Sequence, residues 1–390
     1  MPRHATSRPR RVLRTIAVAA VGVMTFLGAG TATAWYELQS NISTPSVAEY
    51  LPADRPTSEA PPIDALSDGA VNILVMGSDS REGANSGFGG DVEGMRSDTT
   101  LLVHIAADRS RVEVISIPRD LIVEIPACTL PDGSQSAYSP LGYNEHSGVR
   151  FNTAFSNGAA GGDLGAAAAC TISAFETMSG IYIDDFVIVD FSGFQAMVDA
   201  IGGVELCFDE PIEDDKAKLS LEAGCHVLTG EQALALARAR KGLGDGSDIG
   251  RISRQQELLA AMVAKATSTG VAANPAALLS FLDAATASLT TSERLGDLTT
   301  MVGLGYSLRE VGPQNVTFAT MPFDWSGNVV LQNEASDALW DSVSADVPMV
   351  LPTAPPDATD DGVAITVPGQ PTASPTEGTG DSANEPDTGG

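Results

Sequence analysis

The chain has 390 residues, a formal net charge of -28 and 43% hydrophobic residues. That length allows one large domain or two small ones. Such an acidic chain would repel a phosphate backbone, which excludes nucleic acid as a partner. Lysine is confined to Lys216, Lys218, Lys241 and Lys265. The remaining basic groups are arginines, the type suited to bidentate phosphate contacts.

Arg3, Arg8, Arg10, Arg11 and Arg14 precede the first acid, Glu37. Thr15 to Ala34 is a run of twenty uncharged residues, followed by Trp35 and Tyr36. This length crosses a bilayer, with a positive side inside and an aromatic belt outside. Ala32-Thr33-Ala34 also reads as a signal-peptide cleavage site. The run exceeds a usual signal core, so the expectation is a cytoplasmic tail over 1–14, a retained span over 15–34 and a single-pass protein of the cell membrane with its body outside. Either reading puts the bulk of the chain in an oxidising compartment, where its four cysteines can form disulfides. Cys207 and Cys225 flank an acidic segment and are read as a pair, which leaves Cys128 with Cys170; spacing alone allows three pairings.

Residues 35–69 are polar and proline-rich and read as a stalk, and the body is expected over 70–349. Asn72–Met76 is an apolar strand ending at Gly77. Thr100–Ile105 and Val112–Ile117 form a strand pair around the turn 107–110. Leu164–Met178 has helical apolar spacing, Phe186–Val189 is a buried strand, and Phe191–Ile201 is a helix stopped by Gly202-Gly203 before a strand at Val204–Cys207. Thr229 and Gln232 form a capping box for a helix through about Ala237. Asp248 is read as the N-cap of a long helix from Arg251 to about Thr267, and Val316–Met321 is a late strand. Residues 350–390 carry many prolines and acids, no lysine or arginine and no aromatic, so this segment reads as a disordered tail. The alternation predicts an α/β fold, a layered α-β-α domain with a central mixed sheet.

No nucleophile elbow, phosphate-binding glycine loop or His-Glu-x-x-His site is present. His4, His104, His146 and His226 stand singly and read as structural or surface residues. Arginine and aspartate instead gather at element ends. Asp79 follows the first strand, Arg96 and Asp98 precede the second, and Arg119-Asp120 closes the third, where α/β folds place ligands. Two carboxylates on neighbouring loops can share Mg²⁺ (or Mn²⁺). Arg238 and Arg240, two apart, share a side if the helix ends near Arg238. Arg251, Arg254 and Gln255 share one helix face, continued by Leu259, Met262 and Val263. Arginines in a first helical turn oppose the dipole and call for an anion such as pyrophosphate.

These segments, from Gly77-Ser78-Asp79-Ser80-Arg81 and Arg96-Ser97-Asp98-Thr99 through Pro118-Arg119-Asp120, Phe151-Asn152-Thr153-Ala154, Asp190-Phe191-Ser192-Gly193-Phe194, Arg238-Ala239-Arg240 and Arg251-Ile252-Ser253-Arg254-Gln255-Gln256, resemble the LytR-CpsA-Psr family of cell-wall glycopolymer ligases in order and spacing over most of the body. The resemblance implies a phosphotransferase that moves a glycopolymer from a polyprenyl-pyrophosphate carrier to peptidoglycan. It places Asp79 and Asp98 at the metal and Arg96, Arg119, Arg238, Arg240, Arg251, Arg254 and Gln255 at the pyrophosphate. Asp98 or Asp79 would take the acceptor's proton. Leu121-Ile122-Val123 stands where many members have a second arginine, so the site has one contact fewer, or Arg81 or Arg150 substitutes. The composition suits actinobacterial members, which attach arabinogalactan. A lipid-pyrophosphate hydrolase and a non-enzymatic regulatory module are the alternative readings.

Overall fold

The computed structural model describes residues 33–56, 69–78, 95–144, 146–159, 162–239, 248–272, 274–349 and 365–366. Eight strands carry the architecture: β1 (Val71–Ser78), β2 (Ser97–Ile105), β3 (Val112–Ile117), β4 (Asp185–Asp190), β5 (Val204–Phe208), β6 (Gly224–Leu228), β7 (Leu289–Thr291) and β8 (Val316–Thr320). Six form the central sheet in the order β7-β4-β1-β2-β3-β8. β2 lies between β1 and β3 and runs antiparallel to both. β4 runs parallel to β1 and β8 parallel to β3. The sheet is therefore mixed, as the alternating strand and helix patterns predict.

Helices cover both faces. On one side, Leu74, Met76, Leu102, Ile115 and Phe186 meet the alanine-rich helix α2 (Leu164–Ser179), the short helix α1 (Asn152–Gly158) and Leu339 and Trp340 of the late helix Glu334–Ser344. Burying each such side chain contributes about 1.5–3 kcal/mol. Alanine lets α2 lie close to the sheet. Asp163 caps its start by accepting from Ala166 N–H, and Gly180 ends it at φ 69°, a left-handed conformation that glycine adopts without a Cβ clash. On the other side, Ile73, Leu101, Val112 and Val114 pack with Leu295, Leu259 and Leu304. A third cluster joins α3 (Phe191–Ala200), the β5–β6 hairpin, α4 (Gly230–Arg238) and α5 (Asp248–Thr267).

Both disulfides expected from the sequence are present, Cys128–Cys170 and Cys207–Cys225. The second staples directly opposite residues of the β5–β6 ladder. The capping box at Thr229 and Gln232 also forms.

Three sequence expectations change. Helix α5 begins at Asp248 itself, so Asp248 is its first residue, Arg251 closes the first turn and Arg254 falls in the second. Within the segment read as a stalk, residues 35–56 lie on the body. Residues 33–41 are helical. Gln39 bridges Gly296 carbonyl and Leu298 N–H, Ser43 bridges to Thr290, and Arg55 grips Glu176. Each contact is over one hundred residues away in sequence, which is why local composition reads the segment as a linker. In the proline-rich tail, Ile365–Thr366 adds a short antiparallel strand against Cys207 and Phe208, at one end of the open edge of β5; the rest of the tail lies outside the described residues. No helix among the described residues is long and apolar enough to cross a membrane; nearly all of the expected span lies outside the described residues.

Candidate functional site

Strand direction gathers the functional residues. β1, β3, β4 and β8 all run the same way, so their C-terminal ends share one edge of the sheet, where β2 begins. Arg119 follows β3 and Asp190 ends β4 there. The β1–β2 register passes from Gly77↔Thr99 to Ser78↔Ser97, leaving Asp98 as the extra residue of a bulge. A bulge re-aims a side chain out of the ladder, and Asp98 lines a cleft at this edge.

The cleft has a volume of about 440 Å³ and lies between the sheet and helices α3, α4 and α5. Its walls are Phe191, Phe194 and Met197 from α3, Leu234 and Ala237 from α4, and Leu258, Leu259 and Met262 from α5. Val75, Leu101 and Val189 of the sheet form the floor. Asp98, Arg238, Arg251 and Gln255 line the same cleft. Along α5, Arg251, Gln255, Leu258, Leu259 and Met262 advance in steps of three and four residues and so follow one face. The lining therefore turns from charged to apolar over about 16 Å of helix. Val263, predicted on the same stripe, is instead 41% exposed.

Hydrogen bonds fix the polar end. Gln255 Oε1 accepts from Thr99 Oγ1 at 3.1 Å, and its Nε2 donates to Ala237 carbonyl at 3.1 Å. This side chain ties the start of β2 to the end of α4. Arg251 is buried and donates from Nη2 to Asp98 carbonyl at 3.3 Å. Arg254 is also buried and donates to Ala239 carbonyl at 2.9 Å, holding the main chain just beyond α4. Arg238 stacks its guanidinium 5.1 Å from the centre of the Phe191 ring, a cation–π contact that orients it toward the cleft wall. Arg119 reaches in from β3, with Nη1 3.1 Å from Asp98 Oδ1.

Asp98, Arg238, Arg251 and Gln255 thus converge on one cleft, Arg119 joins them through Asp98, and Arg254 lies outside the lining, against Ala239 carbonyl. Arg96 is exposed and, two residues from Asp98, lies outside the lining. Asp79, Arg81 and Arg240 lie outside the described residues. Arg150 meets the site indirectly, through Asp120 at 2.8 Å. Sequence reasoning missed Asp190, which lines the cleft and caps α3 by accepting from Gly193 N–H at 2.7 Å. An aspartate between a buried strand and a helix was the available signal. The aromatic wall of α3 was missed because helical spacing does not distinguish a core face from a cleft face.

The described histidines divide between interior and surface: His146 is exposed and His226 half-buried. His104 is buried and bonds Asn72 and Asp346, and burial pushes its pKa below the ordinary value of 6.5.

A family model described as the LytR_cpsA_psr family matches residues 36–343. The chain is 31% identical over 268 residues to "Cell wall biosynthesis protein LcpA" of Corynebacterium glutamicum, a match covering 66% of this chain and 50% of that protein. It is 29% identical over 270 residues to "Polyisoprenyl-teichoic acid--peptidoglycan teichoic acid transferase TagT" of Bacillus subtilis, covering 67% and 73%. The matched region thus spans half the length of LcpA. Among solved structures, the "LytR-Csp2A-Psr enzyme from Actinomyces oris" superposes with a TM-score of 0.54 at 22% identity, over 76% of this chain and 96% of that one. "TagT bound to LI-WTA" superposes with a TM-score of 0.52 at 22% identity, over 78% and 99%. At that identity the superpositions establish the fold alone, while the family match spans the sheet, the cleft and the converging arginines: the chain belongs to the LytR-CpsA-Psr family.

Proposed function

We propose that this chain is a membrane-anchored phosphotransferase that moves a glycopolymer from a polyprenyl-pyrophosphate carrier onto peptidoglycan. Residues 15–34 would form the span, with the body over 70–349 outside the cytoplasm. The observation that carries the reading is one cleft, greasy along α3 and α5, that ends at Arg238 and Arg251 with Arg119 beside them. A prenyl chain and a diphosphate need this pairing of an apolar wall and fixed cations. The relatives named for wall biosynthesis and teichoic acid transfer support it. Arabinogalactan is the polymer to try first.

The donor set suits a hard cation. Asp98 presents a carboxylate in the cleft, and Mg²⁺ is held by one or two carboxylates with phosphate oxygens and water completing its shell. Asp98 would hold the ion, with Asp79 as the second ligand. When bound, it would neutralise charge on the diphosphate.

The residues of the chain divide the remaining work. The apolar walls hold the prenyl chain and exclude water. Arg238, Arg251 and Arg119 bind and orient the diphosphate. An acceptor hydroxyl oxygen then bonds to the sugar-linked phosphorus, the bond from that phosphorus to the bridging oxygen breaks, and prenyl phosphate leaves with the electron pair. Charge grows on the leaving phosphate, where fixed guanidinium groups stabilise it most. Asp98 or Asp79, whichever carboxylate the ion leaves free, takes the hydroxyl proton.

The test is incubation of the full chain with a short-chain prenyl-pyrophosphate sugar and Mg²⁺, with and without peptidoglycan fragments. A sugar-phosphate adduct on the fragments is expected. Arg251→Ala should lower kcat/KM about 10²–10³-fold, as loss of one donor to a developing oxyanion does. Phosphate release that ignores the acceptor and leaves no adduct would establish hydrolysis in place of transfer.

A further inference from the structure

A continuous row of polar contacts leads from the cleft to the surface. Arg251 donates to Asp98 carbonyl at 3.3 Å. Asp98 Oδ1 accepts from Arg119 at 3.1 Å, Arg119 Nε lies 3.4 Å from Asp120 Oδ2, and Asp120 Oδ1 accepts from Arg150 at 2.8 Å. Exposure rises along the arginines, from 4% at Arg251 through 17% at Arg119 to 43% at Arg150. The row therefore surfaces at Arg150.

Two exposed aromatics stand near that point, each linked to it through main chain. Gly142 and Gly148 touch so closely that a Cβ on Gly142 would sit 2.2 Å from Gly148 Cα, and Gly148 abuts Ile122. Ile122 pairs with Arg150. This closed turn carries Tyr143, whose N–H donates to Ser147 Oγ and whose side chain is among the most exposed apolar groups of the chain, at 81%. From Asp120 the link runs to Trp325, which pairs with Val330 across a hairpin, and Val330 N–H donates to Asp120 carbonyl. The indole is 59% exposed, with its ring set edge-on against Phe323 at 5.4 Å.

We propose that this surface, with Arg150 and Asp120 near Tyr143 and Trp325, is a saccharide platform that holds the acceptor glycan chain beside the diphosphate. The inference rests on the transfer reading above and adds where the acceptor binds. Rigid aromatic rings present apolar faces to the C–H faces of pyranose rings, while Arg150 and Asp120 offer donors and acceptors to hydroxyl, amide or carboxylate groups. An apolar protein surface would strand the ion pair at its centre. A nucleic acid would meet a chain of net charge -28. A glycan is amphipathic in the required sense, and a strand lying here places its hydroxyls at the outer end of the row that begins in the cleft.

The test uses the full chain in detergent. Peptidoglycan glycan fragments freed of peptide by enzymatic digestion are the probe, with saturation-transfer NMR for contact and titration for affinity. Tyr143→Ala and Trp325→Ala should each weaken fragment binding about tenfold, the effect expected of a stacked aromatic anchor. Each should raise the acceptor KM by a similar factor with little change in kcat. Tyr306→Ala, at a tyrosine 61% exposed on another helix, should leave the fragment affinity as it is. Equal binding by wild type and the double variant overturns the platform, as does a wild-type chain that binds no fragment. The two readings fail separately: a chain that forms the adduct with unchanged acceptor KM in both variants keeps transfer and loses the platform. One that binds fragments through Tyr143 and Trp325 and forms no adduct keeps the platform and loses transfer.

Discussion

Two arginine–carboxylate contacts on opposite sides of the sheet show how the same chemistry serves two ends. Behind the sheet, Arg55 grips Glu176 with two nitrogens, at 2.9 and 2.6 Å, stacks 4.1 Å from the Tyr182 ring and donates to Ile183 carbonyl. Glu176, 3% exposed, also accepts from Ile183 N–H. Each charge there meets its opposite in a fork geometry, and the result is a clamp that seats residues 33–56 on the body. At the cleft, Arg119 reaches Asp98, while Arg238 and Arg251 line the same cleft with Asp98 and Asp190. Charges of both signs here line an open cleft rather than a joint between segments.

The comparison is sharpest under truncation. Glu176→Ala leaves Arg55 buried against Tyr182 without its carboxylate, and breaking a buried pair in this way costs about 3–5 kcal/mol. Thermal or urea melts of the full chain should show that loss, with transfer activity retained at low temperature. Arg251→Ala should do the reverse, losing transfer with a melting point near that of wild type. If both variants fail by unfolding, the division between clamp and site is wrong.

A charge in the apolar wall is the next largest effect. Leu258 is 1% exposed to solvent and faces the cleft. Its replacement by aspartate would also upset the helix core, so Met262→Glu, at a partly buried position on the same wall, is the cleaner variant. Burying a carboxylate against a prenyl chain should weaken binding of a long-chain donor about tenfold or more. A water-soluble pyrophosphate lacking the chain should bind as before. Equal losses for both donors would show that the wall does not hold the lipid.

Much of this was legible in the sequence because the signals are local. Apolar runs locate β1 to β4, the Thr229 and Gln232 capping box starts α4, and the three- and four-residue spacing of Arg251, Arg254 and Gln255 puts them on one face of α5. The convergence itself was legible only as arginines and aspartates at element ends, since sheet order decides which ends are neighbours. The bulge at Asp98 has no sequence signal of its own; it arises where two strands of fixed hydrophobic register fall out of step by one residue. The seating of Arg55 was hidden for the opposite reason: its partners Glu176 and Tyr182 lie over one hundred residues on, so nothing nearby distinguishes the segment from a linker.

A second buried cluster behind the sheet gives the smallest and most specific effect. His104 faces Asn72 on β1, Arg111 and Glu113 at β3, and Asp346 after the last helix. Asp346 also takes Arg111 at 2.7 Å, and Glu113 accepts from Met349 N–H. This cluster fastens the end of the body. Desolvation is the main influence on His104 and lowers its pKa, against the raising effect of Asp346. The folded chain therefore binds its proton less readily than the unfolded chain, whose value stays near 6.5. Between the depressed folded pKa and about 6.5 the unfolded state holds more protons, so stability rises with pH there and falls on acidification, by at most about 1.4 kcal/mol per pH unit for one proton. Above about pH 6.5 the contribution is fully present. Melts at pH 7.5, 6.5 and 5.5 should show wild type losing more stability over the lower interval than His104→Gln, which cannot titrate. Parallel losses in the two proteins would mean that other groups set the acid limit and that the His104 cluster fastens the chain without sensing pH.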